Sequence, residues 1–445
     1  MSATRTVLIV GGGASGTLMA LQLLAQAPAE IRITLVERND DLGRGLAYAT
    51  ADEAHLLNVM PKSLSAFPDD PEHFWRWLQR TARVPVGTGP AVFVARHHFG
   101  DYLAAMLAEA RSASHGRLSV LQGEVTTLLE TDAGIEARLS SGASVPAHAA
   151  ILATGHDDDC PADEAIRGIP PDTTQPILIL GSGLSMIDRW LSLRGAGFRG
   201  RIVAMSRRGL LPQPHTGTAP IRLDAADIPF GTGLPYFAHW LRGMAKDAAA
   251  ETGDWRAATD AIRPFSQRLW QSWSEATRRR FLRHARPWWD VHRHRLAPAV
   301  HARLMAERSA ETVAVIAAKL TAAEPGIGPQ TIRYRRRGSA VVETLEVAAV
   351  LDCRGLARDW EARPGTLVGT LIAEGRGRPD PLRIGLDVSE NCEVIDSDGR
   401  VSPRLCAIGP LTRGTFFEIE AVPDIRAQCT SLAAALCRRL LQRAA

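Results

Sequence analysis

The chain opens on an apolar run, Val7-Leu8-Ile9-Val10, that breaks at three glycines, Gly11 to Gly13. Apolar positions then recur at helical spacing before a second apolar run ends in Glu37. This pattern predicts strand, glycine turn, helix and strand over 5–37. A loop region carrying Gly43, Gly45, Pro61 and Pro68 fills 38–70. Helical texture follows at 71–80 and at 97–113, where Tyr102, Leu103, Met106 and Leu107 fall on one face. Alternating segments at 118–129 and 134–140 predict a hairpin or small sheet, and Ala149 to Leu152 a buried strand that ends in the turn Ala153-Thr154-Gly155.

The same strand, glycine turn and helix recur once, from Ile177, with a following strand over 201–205. Residues 235–310 read as largely helical and rich in Trp, Arg and His. Strands resume near 312–320, 330–336 and 342–352, and an amphipathic helix closes the chain from about Asp424. The pattern predicts an α/β protein with two Rossmann-type dinucleotide-binding domains and a helical insertion. The expected division is 1–160 and 356–445 for the first domain. The second covers 161–355, with the insertion at about 235–310.

In the first turn, Gly11, Gly13 and Gly16 fit G-x-G-x-x-G directly after a strand. Gly11 permits the tight turn, Gly13 lets backbone approach a pyrophosphate, and Gly16 lets helix and strand pack closely. The helix N-terminus offers free amides to phosphates. Glu37 stands about 20 residues on, where a carboxylate accepts hydrogen bonds from ribose hydroxyls and would repel a 2′-phosphate. FAD or NAD, rather than NADP, suits this turn.

The second turn has Gly181 and Gly183 but Met186 at the third position, which predicts wider helix–strand packing. Its following strand ends in Ser206-Arg207-Arg208-Gly209 instead of an acid. Two guanidiniums beside a hydroxyl suit a 2′-phosphate, and a solvated basic turn is the plainer alternative. NADPH is therefore expected here, which leaves the first turn for the flavin.

An apolar fraction of 45% supports real cores, and a net charge of +4 does not imply nucleic acid. No apolar run approaches a membrane span, and Val7–Val10 leads into glycines instead of a cleavage site, so a soluble cytoplasmic protein is expected. The six cysteines include no C-x-x-C pair and read as reduced, buried thiols.

Several stretches resemble a family of bacterial FAD/NAD(P)-binding flavoproteins, and the likeness runs nearly end to end. They are Gly43-Arg44-Gly45-Leu46-Ala47-Tyr48, His55-Leu56-Leu57-Asn58-Val59, Ala66-Phe67-Pro68-Asp69-Asp70-Pro71 and Gly181 through Asp188. Ser206 through Pro212, Arg286 through Arg295, Gly409-Pro410 and Ala421 through Arg426 complete the set. The chain also looks distantly similar to flavin monooxygenases that hydroxylate amines, including amino-acid N-hydroxylases. The F-x-G-x-x-x-H fingerprint of Baeyer–Villiger-type enzymes is absent.

The resemblance implies that Gly11, Gly13, Ala14, Ser15, Gly16, Glu37 and Arg38 hold the ADP half of FAD. Gly45, Leu46, Ala47, Asn58, Val59 and Met60 line the isoalloxazine, with Tyr48 and Asn58 the flavin-proximal candidates for catalysis. Val125, Thr154, Gly155, Gly409, Pro410 and Pro423 complete that site. Pro423 opens the last helix toward the flavin, where the helix dipole stabilises negative charge. Gly181, Gly183, Leu184, Ser185, Ser206, Arg207 and Arg208 form the NADPH site.

In the insertion, ten Arg and His residues between Arg278 and Arg295 flank Trp288 and Trp289. One reading is a helix pair with buried tryptophans. The sharper one has residues such as Arg286, Trp289, His292 and Arg295 projecting into a cleft between the domains, to hold an anionic substrate or the NADPH phosphates. His292 and His294, two apart, fall on different helix faces, so no metal site is expected. The expected function is a single-component NADPH-dependent monooxygenase, oxygenating an amine or amino acid with molecular oxygen by way of a peroxyflavin. An FAD-dependent reductase serving a quinone, metal chelate or protein is the first alternative, and a non-catalytic flavin sensor the second. No protein nucleophile is required, because the cofactor carries the chemistry.

Overall fold

A computed structural model describes residues 4–156, 166, 168–322, 326–355 and 365–442; Cys160 lies outside them. The chain forms two compact units. The first comprises Met1–Glu53, Val59–Asp158 and Ala357–Ala445, and the second Ala54–Asn58 and Asp159–Leu356.

The first unit is built on a six-stranded sheet of order β13-β14-β7-β1-β2-β3. Its strands are β1 (Arg5–Val10), β2 (Ile31–Glu37), β3 (Leu118–Gln122), β7 (Ala149–Leu152), β13 (Glu393–Ile395) and β14 (Val401–Ala407). All neighbours are parallel except β13 with β14. Central β1 and β7 are continuous apolar runs because both their faces are covered. Helices α1 (Ala14–Gln26), α4 (His97–Ala113) and α13 (Val422–Gln442) pack together, α2 (Gly45–Tyr48) and α3 (His73–Arg80) lie before α4 in the chain, and α12 (Leu367–Ala373) precedes β13. A separate antiparallel sheet holds β4 (Val125–Glu130), β5 (Ile135–Leu139) and β6 (Ser144–Ala147).

The expected grouping of 118–129 with 134–140 needs correction, since β3 belongs to the main sheet. Gly123 breaks the run, and its N–H turns back to the Glu37 carbonyl at 2.9 Å.

The second unit contains β8 (Ile177–Leu180), β9 (Ile202–Ser206), β10 (Val313–Ala322), β11 (Gly326–Arg336) and β12 (Val342–Asp352). Strands β8, β9, β12 and the first half of β10 pair in parallel, as expected of a dinucleotide-binding unit. The long meander β10-β11-β12 is antiparallel, and it closes the whole set into a five-stranded ring. Closure follows from strand length: Val313–Ala317 pair with β9, while Ala318–Ala322 continue past it to pair with β11.

Helix α5 (Leu184–Gly195) follows β8 and buries Met186 and Trp190. The insertion supplies α6 (Leu234–Thr252), α7 (Arg256–Ala261), α8 (Ser266–Ser272), α9 (Glu275–Arg280), a π-turn at Phe281–Ala285, and α10 (Arg286–Arg293). Helix α11 (Pro298–Ser309) leads back to the sheet. Phe237, Trp270, Trp273, Phe281 and Trp289 are all buried and form a chain of ring contacts through the insertion.

Candidate cofactor sites

The two glycine turns share one hydrogen-bond scheme. Gly11 N–H donates to the Val36 carbonyl at 2.8 Å, and Gly181 N–H to that of Met205 at 2.8 Å. Ala153 N–H donates to the Val10 carbonyl at 2.8 Å, and Cys353 N–H to that of Leu180 at 2.7 Å. Each unit thus ties its turn to the ends of two flanking parallel strands. Gly11 has φ +103°, and a Cβ there would stand 2.6 Å from the Ala153 carbonyl oxygen, so both conformation and space require glycine.

Beyond the shared scheme the turns diverge. A Cβ on Gly16 would lie 1.8 Å from the Gly11 carbonyl oxygen, so this helix start is locked against its own turn. Met186, at the corresponding place, is fully buried in the second unit's core beside Ile177 and Trp190. Gly183 is exposed and a Cβ there would meet nothing within 4 Å. Leu184 is half-buried and Ser185 exposed beside it, so the amide end of α5 opens outward.

At the end of β2, Glu37 Oε2 accepts the Gly12 N–H at 2.6 Å, and its Oε1 the Asn39 N–H at 3.0 Å. The carboxylate therefore stands at the edge of the phosphate turn, with exposed Arg38 next in the chain. At the end of β9 the same edge carries a hydroxyl. Ser182 Oγ donates to the Leu210 carbonyl at 2.6 Å and pairs with Ser206 Oγ at 2.8 Å, which also accepts the Gly209 N–H at 2.9 Å. Ser206 thereby braces the basic turn from inside. Arg207 is exposed, while Arg208 donates to the His284 carbonyl of the π-turn at 3.1 Å.

Several of the remaining predicted residues of the first unit lie against α1 or the turn that opens it. Gly13 caps α1, and a Cβ on it would lie 3.2 Å from Gly45 Cα. Ser15 is buried and Ala14 half-buried, and a Cβ on buried Gly409 would stand 2.5 Å from Ser15 Oγ. Gln428 on α13 accepts the Gly409 N–H at 2.8 Å and donates to Thr412 Oγ1 at 3.0 Å, a link no motif signalled. Half-buried Pro410 follows, and half-buried Pro423 is the second residue of α13. Thr154 Oγ1 is buried without a hydrogen-bond partner among the described residues, and Gly155 beside it has φ +68°. That orphan hydroxyl, next to the glycine cradle, fits a ligand polar group such as a dinucleotide offers. Val125 is buried at the start of β4.

Leu46 is 58% exposed, Ala47 is exposed, and the Tyr48 hydroxyl is pushed up to about 12 by enclosure, so it stays a donor at neutral pH. Asn58 departs from the expected grouping. It falls in the second unit, where its carbonyl faces His215 Nε2 at 2.9 Å, while half-buried Val59 and Met60 fall in the first. His55 anchors the same segment through Ser192 Oγ at 2.9 Å and the Asp188 carbonyl at 3.1 Å. No local motif could reveal these partners, which lie more than 130 residues away.

The substrate-facing expectation for Arg295 and Trp289 is corrected. Arg295 is 3% exposed and binds Asp260 Oδ2 at 2.9 Å, Thr259 Oγ1 at 2.8 Å and the His292 carbonyl at 2.9 Å. Trp289 packs edge-on against Phe281. His292 lies on Trp255 with ring centroids 4.4 Å apart, and Arg286 pairs with Asp290 at 3.3 Å. Arg278 donates to the carbonyls of Trp270, Gln271 and Trp273 at the end of α8. Arg278 and Arg295 hold helices together, because the short helices leave terminal carbonyls that need donors.

Glu53, His97 and His98 come together at the first turn of α4, their ligand atoms within 4.8 Å of one another. The surroundings disfavour a cation there. Arg83 stands 3.4 Å from His98 Nδ1, Arg44 lies close by on Asp101, and a helix N-terminus carries positive charge. Among the described residues, no helix is long and apolar enough to cross a membrane.

A family model for FAD-NAD(P)-binding proteins matches residues 8–157, which include the first glycine turn and the Ala153-Thr154-Gly155 turn. Uncharacterized proteins of Mycobacterium tuberculosis and Mycobacterium bovis are 28% identical over 116 residues, or 25% of this chain. The match spans 20% of the length of those relatives. Among solved structures, the chain is similar to an ornithine N-hydroxylase of Kutzneria, solved with reduced FAD, NADP+ and L-ornithine. They share 16% identity and a TM-score of 0.64, over 98% of this chain and 100% of that one. It is also similar to L-lysine 6-monooxygenase of Pseudomonas syringae, at 16% identity and TM-score 0.61 over 99% and 100%. Thioredoxin reductase of Lactococcus lactis gives 13% identity and TM-score 0.50 over 99% and 100%. Residues 8–157 therefore carry the FAD/NAD(P)-binding part of the first unit, and the chain shares the fold of these solved structures over nearly its whole length.

Proposed function

We propose that this protein is an FAD-dependent, NADPH-using oxidoreductase that acts as a single-component monooxygenase on an amine or amino acid. One observation carries the two-cofactor reading. Two turns with the same hydrogen-bond scheme end differently, in the carboxylate of Glu37 and in Arg207 and Arg208. A carboxylate accepts ribose hydroxyls and repels a 2′-phosphate, and guanidiniums attract one.

In this reading Gly11, Gly13, Ala14, Ser15, Gly16, Glu37 and Arg38 hold the ADP half of FAD, with Thr154 supplying a free hydroxyl. Gly45, Leu46, Ala47, Tyr48, Val59, Met60, Gly155, Gly409 and Pro410 surround the rest, and Val125 closes the adenine side. Pro423 places the N-terminal end of α13 at the flavin, where its dipole favours negative charge. The 2′-phosphate of NADPH lies on Arg207 and Arg208, and its pyrophosphate over Gly183. FAD, when bound, supplies acceptance of hydride from NADPH and the activation of oxygen.

Oxygenation is favoured over dithiol reduction by the cysteines among the described residues. Burial pushes the thiols of Cys353 and Cys406 up to about 11 and that of Cys392 to about 12, which suppresses the thiolate such reductases need. The likeness to an ornithine and a lysine hydroxylase over nearly the whole chain points the same way.

The test is NADPH oxidation and oxygen uptake by the FAD-loaded protein across a panel of amines and amino acids. A substrate that stimulates both and appears as its hydroxylated product supports the proposal. Oxidation that yields only hydrogen peroxide, or that runs on quinones without oxygen, replaces it with the reductase reading. Absence of NADPH oxidation with every acceptor would leave a flavin-binding sensor.

A further inference from the structure

The segment from Gly43 to Tyr48 lies between two supports. On one side the Gly43 N–H donates to the Gly12 carbonyl of the phosphate turn at 2.8 Å, and Gly45 touches Gly13. On the other is one face of α4, made by Gly100, Asp101 and Ala104. A Cβ on Gly43 would lie 2.5 Å from Ala104 N, and one on Gly100 would lie 2.7 Å from Arg44 Cγ and 3.0 Å from Tyr48 Cβ. Segment and helix are thus in backbone-level contact, with the Tyr48 ring edge-on to Phe99 at 5.1 Å.

One charged pair fastens this seat. Arg44 donates to Asp101 Oδ1 at 2.8 Å and to Asp41 at 3.0 Å. The other Asp101 oxygen receives Arg83 at 3.0 Å, with His97 Nδ1 at 3.8 Å. Asp101 is half-buried, its side chain 18% exposed against 34% for Arg44 and 40% for Arg83, so solvent weakens these bonds only in part. Both carboxylates that Arg44 meets, Asp41 and Asp101, neutralise its charge, so its contact with Asp101 serves geometry rather than ligand charge.

We propose that Asp101 is a positioning residue for the flavin site: by holding Arg44 on α4 it sets the Gly43–Tyr48 segment against the phosphate turn, and so the wall that Leu46, Ala47 and Tyr48 offer to the isoalloxazine. This rests on the FAD reading given above. The exposed Leu46 is the group whose position the clamp governs.

The test uses FAD-loaded protein and the variants Asp101→Asn, Arg44→Gln and the pair together. Asp101→Asn keeps the shape and removes the charge, and should weaken FAD binding by about tenfold, the worth of one charge-assisted hydrogen bond. It should also shift the flavin absorption band. Binding of ADP alone should change less than twofold, because the clamp acts on the isoalloxazine wall and not on the phosphate turn. The loss in the double variant should be smaller than the sum of the two single losses, since the two share the Arg44–Asp101 contact. Equal losses for FAD and ADP, or a lowered melting temperature with an unchanged flavin spectrum and FAD affinity, would overturn the proposal. If the unaltered protein binds ADP but not FAD, the FAD reading itself fails.

Discussion

Replacing Gly183 and Gly16 by alanine, one at a time, separates a glycine required by the fold from one required by a ligand. A Cβ on Gly16 would sit 1.8 Å from the Gly11 carbonyl oxygen and 3.3 Å from Ile9 Cγ2, where ordinary contact begins at 3.4 Å. The turn or α1 must move by more than an ångström, and overpacking of this kind costs about 3 kcal/mol. At roughly 2–4 °C per kcal/mol for a unit of this size, the melting temperature should fall by about 6–12 °C, with loss of FAD. Gly183 has φ −89°, which any residue adopts, and a Cβ there meets nothing within 4 Å. Its replacement should cost about 0.5 kcal/mol, the difference between glycine and alanine as an N-cap, and leave the melting temperature within about 2 °C. The added methyl nevertheless stands on the open amide end of α5. NADPH binding should therefore weaken about tenfold or more, equivalent to about 1.4 kcal/mol, while FAD content is unchanged. Scanning calorimetry of the FAD-loaded protein and NADPH titration measure the two arms. A Gly183→Ala protein that binds NADPH as tightly as the parent would refute the placement of the pyrophosphate there.

Three further outcomes are expected. Arg207→Ala should raise the KM for NADPH about tenfold and leave that for NADH unchanged. Arg208→Ala should affect both, since Arg208 also holds the π-turn through the His284 carbonyl; an equal response of both cofactors to Arg207→Ala would rule out the 2′-phosphate contact. Arg295→Met should lower stability by about 2–3 kcal/mol, below the usual cost of breaking a buried pair because Asp260 is 39% exposed, and should leave NADPH binding unaltered; chemical denaturation with a parallel titration checks it. Burial holds His215 and His292 below the ordinary histidine value of 6.5, so folding keeps them neutral. Their contribution is full above pH 6.5 and is lost as pH falls through the folded values, and His215→Gln should flatten that part of a stability-against-pH curve.

The sequence by itself determined the local chemistry of this protein. Val7–Val10 and Ile177–Leu180, each running into glycines, read as buried strands entering a tight turn, and the acid Glu37 against the bases Arg207 and Arg208 set the two turns apart. Those signals are legible because each depends on neighbours within one strand–turn–helix unit, where spacing translates directly into position. Tertiary structure decided what long-range partners control. It gave β3 to the main sheet, closed the second sheet through a long meander, and fastened His55 and Asn58 to His215, Ser192 and Asp188. It also turned Arg278 and Arg295 of the insertion onto neighbouring helix groups, while Arg279, Arg280 and Arg283 stay exposed. A guanidinium on a basic, tryptophan-rich stretch can serve an anion or a helix end equally well, and which one it meets depends on carbonyls and carboxylates that the chain brings to it from other helices. In the first turn, likewise, the spacing of Gly11, Gly13 and Gly16 is local, whereas the carbonyl of Ala153 that makes Gly11 irreplaceable arrives from a strand more than a hundred residues away.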